Sequence, residues 1–166
     1  MSLSEISALS PINPLDQIEE VATAQDWAFE RADEHELDLV VVGQWGEYPV
    51  SLSWRSEVAM LHIAVELDTK VPARRRPAFQ ELIGLVNERM MLGHFDLWSD
   101  ENLLVFRYGL LLSGCRGATQ GQCEGILQMA VGACDQFYPG FQYLIWADRT
   151  PQDALAAVMF ETVGQA

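Results

Sequence analysis

Two runs of strict alternation lie close together in the middle of the chain. Val50, Leu52 and Trp54 alternate with Ser51, Ser53 and Arg55, and Leu61, Ile63, Val65 and Leu67 alternate with Met60, His62, Ala64 and Glu66. A period of two with one apolar side marks antiparallel strands that are half buried. The break at Ser56 and Glu57 is short enough for a hairpin, as is Gly46 to Pro49 ahead of it. Upstream, Trp27, Phe29 and Arg31 alternate with Ala28, Glu30 and Ala32, and Leu37, Leu39, Val41 and Trp45 extend the pattern beyond the acidic turn Asp33 to Glu36. The expectation is a four-stranded meander.

Helical spacing flanks it. Asn13 and Pro14 read as an N-cap and first-turn pair, followed by Leu15, Ile18 and Ala22 as far as about Gln25. After the meander, Pro72 and the run Arg74, Arg75, Arg76, Pro77 break the alternation. Phe79, Ile83, Val86 and Met90 then trace a central helix, with Gly93 as its expected C′ residue. Phe95 and Leu97, a turn at Asp100 to Asn102, and Leu104, Phe106, Tyr108, Leu110 and Leu112 make a hairpin. Its second strand is also apolar on the other side, through Leu103, Val105 and Leu111, so both faces need cover from helices or from a second subunit. A homodimer is expected on that ground, with the C-terminal helix as the rival cover. Thr119 and Gln122 form a capping box ahead of the stripe Cys123, Ile126, Ala130, Cys134 and Phe137. Pro139 and Gly140 are expected to interrupt that stripe, leaving Phe141 to Trp146 undecided. Thr150, Pro151 and Asp153 open a last helix carrying Leu155, Val158, Met159 and Val163. The fold class is therefore α+β: an antiparallel β-meander plus β-hairpin packed with helices, not a parallel doubly wound sheet. A chain of 166 residues fits one domain, read as a tail over 1–13 and a single domain over 14–166.

Charge narrows the partners. The chain has 24 acids against 10 Lys and Arg, a net charge of −14, and residues 1–40 hold ten acids and one Arg. Phosphate-rich polymers and anionic bilayers would both be repelled, so neither a nucleic-acid nor a membrane partner is expected. No apolar stretch approaches the roughly 20 residues of a membrane span, and Met1 to Pro14 lacks the pattern of a secretory signal. Cys115, Cys123 and Cys134 are odd in number and fit no zinc or redox spacing, so they read as reduced thiols in the cytoplasm.

Catalytic chemistry finds little purchase. His35, His62 and His94 are scattered, and none belongs to a His-Glu-x-x-His pattern. Cys123 and Cys134 fall on an apolar stripe and read as buried hydrophobes. Cys115 lies in the Gly114 to Gly121 loop beside Arg116, a cation able to activate a thiol, but no base is tied to it. The glycines at 109, 114, 117 and 121 match no phosphate loop, and the carboxylates of Asp26 to Asp38 lack the oxygen pattern and central Gly of a calcium loop. No catalytic residue, metal ligand or cofactor is assigned. Lys70, Arg74, Arg75 and Arg76 gather where a helix macrodipole disfavours cations. Arg74, Arg75 and Arg76 are accordingly candidate binding residues, read either as a solvated turn or as an anchor for acidic groups. Those groups would belong to the acidic N-terminal segment or a second subunit.

The segment Asn87-Glu88-Arg89-Met90-Met91-Leu92-Gly93-His94-Phe95, followed by Phe106-Arg107 and by Tyr138-Pro139-Gly140-Phe141-Gln142 with Trp146, resembles the bacterial YbjN family. Trp45, the meander around Leu52 to Trp54 and the closing Glu161-Thr162-Val163-Gly164 belong to the same resemblance. Gly140 stands where the family pattern has alanine, which would loosen a turn there. The resemblance implies a regulator of sensory transduction with no agreed biochemical activity and no catalytic residues. It also implies a fold similar to type III secretion chaperones, sandwiches that usually dimerise and hold extended segments of client proteins. Arg89 and Arg107 join the candidate binding residues. Read by themselves, Asn87 and Arg89 sit near the end of the central helix, where Arg suits the dipole and Asn can satisfy a terminal carbonyl. Arg107, among apolar neighbours, needs a carboxylate if buried, and Glu88 is a candidate. The expected function is a non-enzymatic regulatory or chaperone-like domain in bacterial signal transduction, binding a protein partner. The alternative is a ligand-sensing domain or small enzyme with a pocket between sheet and helices that uses Arg107, His94 or Cys115.

Overall fold

A computed structural model describes residues 11–163, with side chains through residue 160. Of the expected tail over 1–13, residues 1–10 lie outside the described residues, as does Gly164. Ile12 is tied down by donating to the Arg116 carbonyl at 2.8 Å. Asn13 caps α1 (Pro14–Ala24) by accepting from Leu15 N at 3.0 Å.

The meander forms as its alternation dictates. Strands β1 (Phe29–Arg31), β2 (Glu36–Val42), β3 (Glu47–Arg55) and β4 (Met60–Lys70) pair antiparallel in sequence order. The hairpin β5 (His94–Trp98) and β6 (Leu103–Leu111) joins through its second strand, giving the order β1-β2-β3-β4-β6-β5. The register aligns Leu37 with Leu52, Leu52 with Ile63, Ile63 with Tyr108, and Phe106 with Phe95. One face is thus continuously apolar, and against it lie α1, α2 (Arg76–Asn87) and α3 (Gln120–Trp146), with α4 (Pro151–Val163) packed on α2 and α3. Phe95 sits at the centre, its ring 5.4 Å from Phe106, 5.9 Å from Phe137 and 5.3 Å from Phe141. Each such pair adds about 0.5–1.5 kcal/mol beyond area burial, so this cluster fixes the hairpin to α3.

Two expected boundaries move. The capping box at Thr119 is present, but α3 runs unbroken through Pro139 to Trp146. Proline has no N–H to offer the carbonyl four residues back, here that of Asp135. The Trp45 indole supplies the missing donor, bonding to the Asp135 carbonyl at 2.9 Å. Gly140 is no turn residue either: α4 comes so close that a Cβ there would lie 2.7 Å from Val158 Cγ2. The second shift is at α2, which ends at Asn87 rather than at Gly93. Gly93, at φ +71°, instead steers the chain into β5, where a side chain would collide with the Phe106 ring.

The outer face of the sheet also corrects an expectation. Val105 is 0% exposed without any second subunit. Its cross-strand partners are Glu66 and Asp96, and residues so paired stand about 5 Å apart, close enough for their stems to close over a small side chain. Leu103 is half buried, and only Leu111 stays open to water. The C-terminal helix, packed on α2 and α3, is not the cover.

Candidate functional site

The segment from Asn87 to Phe95 divides into two parts with different duties. Asn87 leaves α2 and lays its amide along the free edge of β5, accepting from Phe95 N at 2.8 Å and donating to Phe95 O at 3.0 Å. It was expected to satisfy a carbonyl of its own helix; in fact it imitates a neighbouring strand. Asp96 Oδ1 takes the next edge group, Leu97 N, at 2.9 Å. Arg89 does what its position suggests, donating to the Leu85 carbonyl at 2.8 Å. With the edge closed and the helix end capped, Met91 and Leu92 are left exposed, Met91 at 98%, while Met90 is half buried.

These residues form one wall of a groove of about 450 Å³. Met129, Gly132, Gln136 and Phe137 of α3 and Met159 of α4 complete its lining. Four of the chain's six methionines line it. Among the described residues Arg89 is its single charged lining residue. Helix α3 carries few charges of its own, only Glu124 and Asp135 in 27 residues. Asp135 is engaged elsewhere, accepting from Gln44 N at 2.8 Å and from the Tyr48 hydroxyl at 2.9 Å. Along α3, Gly121, Gly125 and Gly132 are exposed and would meet nothing with an added Cβ. Glycine inside a helix costs about 1 kcal/mol relative to alanine, and among the described residues no close neighbour demands it at these three positions.

A second arrangement lies on the outer face of the sheet. Arg107 pairs with Asp96 Oδ2 at 3.2 Å, not with Glu88, and its Nε donates to His62 Nε2 at 3.2 Å. Burial pushes the His62 pKa down, helped by the positive charge of Arg107 and by the nearby His94 and Arg55. His94 stands opposite Arg107 on β5. The helices cover the other face, so Arg107 and His94 do not enter a pocket between sheet and helices, and Cys115 lies in the exposed loop after β6. Of the three groups of the enzyme alternative, His94 and Arg107 are neighbours on the outer face of the sheet, while Cys115 belongs to the loop after β6. Cys123 and Cys134 are buried; burial and the adjacent Glu124 push the Cys123 thiol up to about 11. Among the described residues no group of three or more His, Cys, Asp or Glu is placed to hold a metal ion, and no helix is long and apolar enough to cross a membrane.

The basic cluster is largely used inside the chain. Arg75 reaches the C-terminal end of α3, donating from Nε to the Leu144 carbonyl at 2.8 Å and from Nη2 to the Ala147 carbonyl at 3.1 Å, with Asp148 at 3.5 Å. Arg76 donates to Asn102 Oδ1 at 2.7 Å. Arg74 is exposed. The acidic N-terminal segment is bound by Arg31 instead, whose Nη1 lies 2.9 Å from Asp16 and 3.0 Å from Glu19. The groove was missed because Met90 counts as one more apolar position of a helix. The available signal was the run Met90-Met91-Leu92, three apolar residues that no single helical stripe can bury together.

Comparison with known proteins agrees with this architecture. A solved structure described as "Crystal structure of YbjN, a putative transcription regulator from E. coli" matches with a TM-score of 0.54, over 76% of this chain and 90% of that one, at 13% identity. At that identity the likeness concerns the fold. No curated protein matches the chain. The model of the YbjN family, described as "Putative bacterial sensory transduction regulator", matches residues 14–143, which include every strand, α1, α2 and most of α3. The chain belongs to the YbjN family.

Proposed function

We propose that this chain is a non-enzymatic regulatory domain that acts by binding an apolar helical segment of a partner protein in the methionine-lined groove. The observation that carries this reading is the groove itself, with Met91 98% exposed at its rim. Flexible, polarisable thioethers suit a surface that must repack around a bound segment. The exposed glycines of α3 let a partner backbone approach closely. A strand-like client has less to recommend it, since the β5 edge is closed by Asn87 and Asp96 and β1 at the other edge has only three residues. The family's description speaks of regulation, and that of the E. coli protein of transcription. At a net charge of −14, direct contact with DNA is disfavoured, so a regulatory effect would pass through a protein.

A photo-crosslinking amino acid placed at Gln136, inside the groove, tests this against one at Ser53 on the outer sheet face. Irradiation in bacterial cells is expected to give a discrete protein adduct from position 136 and none from 53. Adducts of equal yield from both, or none from 136, would overturn the reading. An adduct at twice the chain's own mass would replace the partner with a second copy of this chain.

A further inference from the structure

We infer that Met91 and Met159 are a peroxide-sensitive modification site that closes the groove, an inference that rests on the groove being the binding surface. Of the five methionines among the described residues, these two are exposed, and both line the groove, Met91 from the segment after α2 and Met159 from α4. Met90 and Met129 lie deeper in it, half buried, and Met60 is half buried on the outer sheet face, where it packs toward Gly109. An oxidant arriving from solvent therefore meets Met91 and Met159 first. The step is a two-electron oxidation: the thioether sulfur takes one oxygen atom from hydrogen peroxide, a sulfoxide S–O bond forms as the O–O bond breaks, and water leaves. The product is polar and strongly hydrogen-bonding. A bound helix would have to bury two sulfoxide oxygens against a described lining that is mostly apolar. Leucine would line such a groove equally well without this sensitivity, and methionine supplies four of its residues. Sulfoxide reduction by a thiol-dependent reductase would reopen it.

The purified full chain with the crosslinker at Gln136 is treated with hydrogen peroxide, cleared of oxidant, reduced with dithiothreitol to reset Cys115, and irradiated in bacterial lysate. Peptide mass spectrometry is expected to find sulfoxide at Met91 and Met159 before Met60, Met90 or Met129. At the dose where only these two are oxidised, adduct yield is expected to fall about tenfold or more, the scale of one unpartnered polar group buried. Both methionine sulfoxide reductase types together should restore it. A Met60→Leu chain should lose its adduct as the parent does, whereas Met91→Leu should retain a larger share of its own untreated yield. Equal yield with and without peroxide, or a loss that the reductases do not reverse, would overturn the switch and leave the groove reading standing. Absence of any adduct from untreated protein would remove both.

Discussion

The outer face of the sheet and the groove beside α3 both place apolar residues away from the main core, yet they end in opposite states. On the sheet, Val105 and Ala64 are buried, ringed by Glu66, Asp96 and Arg107, and nothing more is needed to keep water out. In the groove, Met91 and Met159 remain exposed to water, and Arg89 is the one charged lining residue among the described residues. Cross-strand pairs bring long side chains of neighbouring strands over any small residue between them. A helix surface studded with Gly121, Gly125 and Gly132 has no such neighbours to offer. Surplus apolar character is therefore covered at Val105 and Ala64 of the sheet, though not at Leu111, and left open at Met91 and Met159 of the groove.

One matched pair of substitutions tests the contrast most severely. Val105→Glu would force an unpaired carboxylate into a fully buried site between Glu66 and Asp96, and it is expected to destabilise the fold by more than about 3 kcal/mol. Met91→Glu, at a position open to water, should change stability by less than about 0.5 kcal/mol while abolishing the adduct at Gln136. Urea titrations of the two variants decide it. If Val105→Glu unfolds at the parent's midpoint, the outer face is as open as the groove and the comparison fails.

A smaller effect separates the two halves of the Asn87 to Leu92 segment. Asn87→Ala removes both bonds to Phe95 and leaves a strand edge unpaired. A loss of about 1–3 kcal/mol is expected, together with association at concentrations where the parent stays in its original state, because free edges recruit other strands. Sedimentation beside thermal melts reads both quantities. A variant that melts and sediments like the parent would show that the amide does not guard the edge.

The meander strands and their order were legible because alternation reports burial directly, but the pairing of β6 beside β4 was not, and Glu47 to Pro49, expected within a link, open β3. The ends of helices were less legible, since they depend on distant donors. Nothing near Pro139 announces that Trp45, on another element, will satisfy the Asp135 carbonyl and let α3 continue. The partner of Arg107 followed the same rule: the need for a carboxylate was readable, but Asp96 rather than Glu88 emerges only from the β5–β6 register. The basic cluster was visible as a departure from helix electrostatics, but its use in capping α3 with Arg75 required the tertiary arrangement. The groove is the hardest to see, because three surfaces distant in sequence build it and no period marks it.

The smallest predicted effect is a pH response confined to the outer face. His62 is half buried, and burial, followed by the charges of Arg107, His94 and Arg55, lowers its pKa in the folded chain below the ordinary value of about 6.5. Its neutral Nε2 accepts from Arg107, and protonation would break that bond. Above about 6.5 the imidazole is neutral in both folded and unfolded chains, and its contribution to stability is fully present. As pH falls from there toward the lowered folded value, the unfolded chain binds the proton first, so stability decreases; below the folded value the loss is complete. Glu66 shifts the other way, since burial and the carboxylates of Glu101 and Asp38 raise its pKa, so falling pH relieves a penalty there. Melting temperatures of the parent and of His62→Gln across this range separate the two, because the difference between them isolates the imidazole. The parent is expected to lose more stability than His62→Gln on acidification below about pH 6.5. The described lining of the groove includes no histidine or carboxylate, so adduct yield at Gln136 should stay flat while the chain remains folded. Parallel melting curves for the two proteins would remove His62 from the account, and an adduct yield that followed pH would show that the two surfaces are coupled.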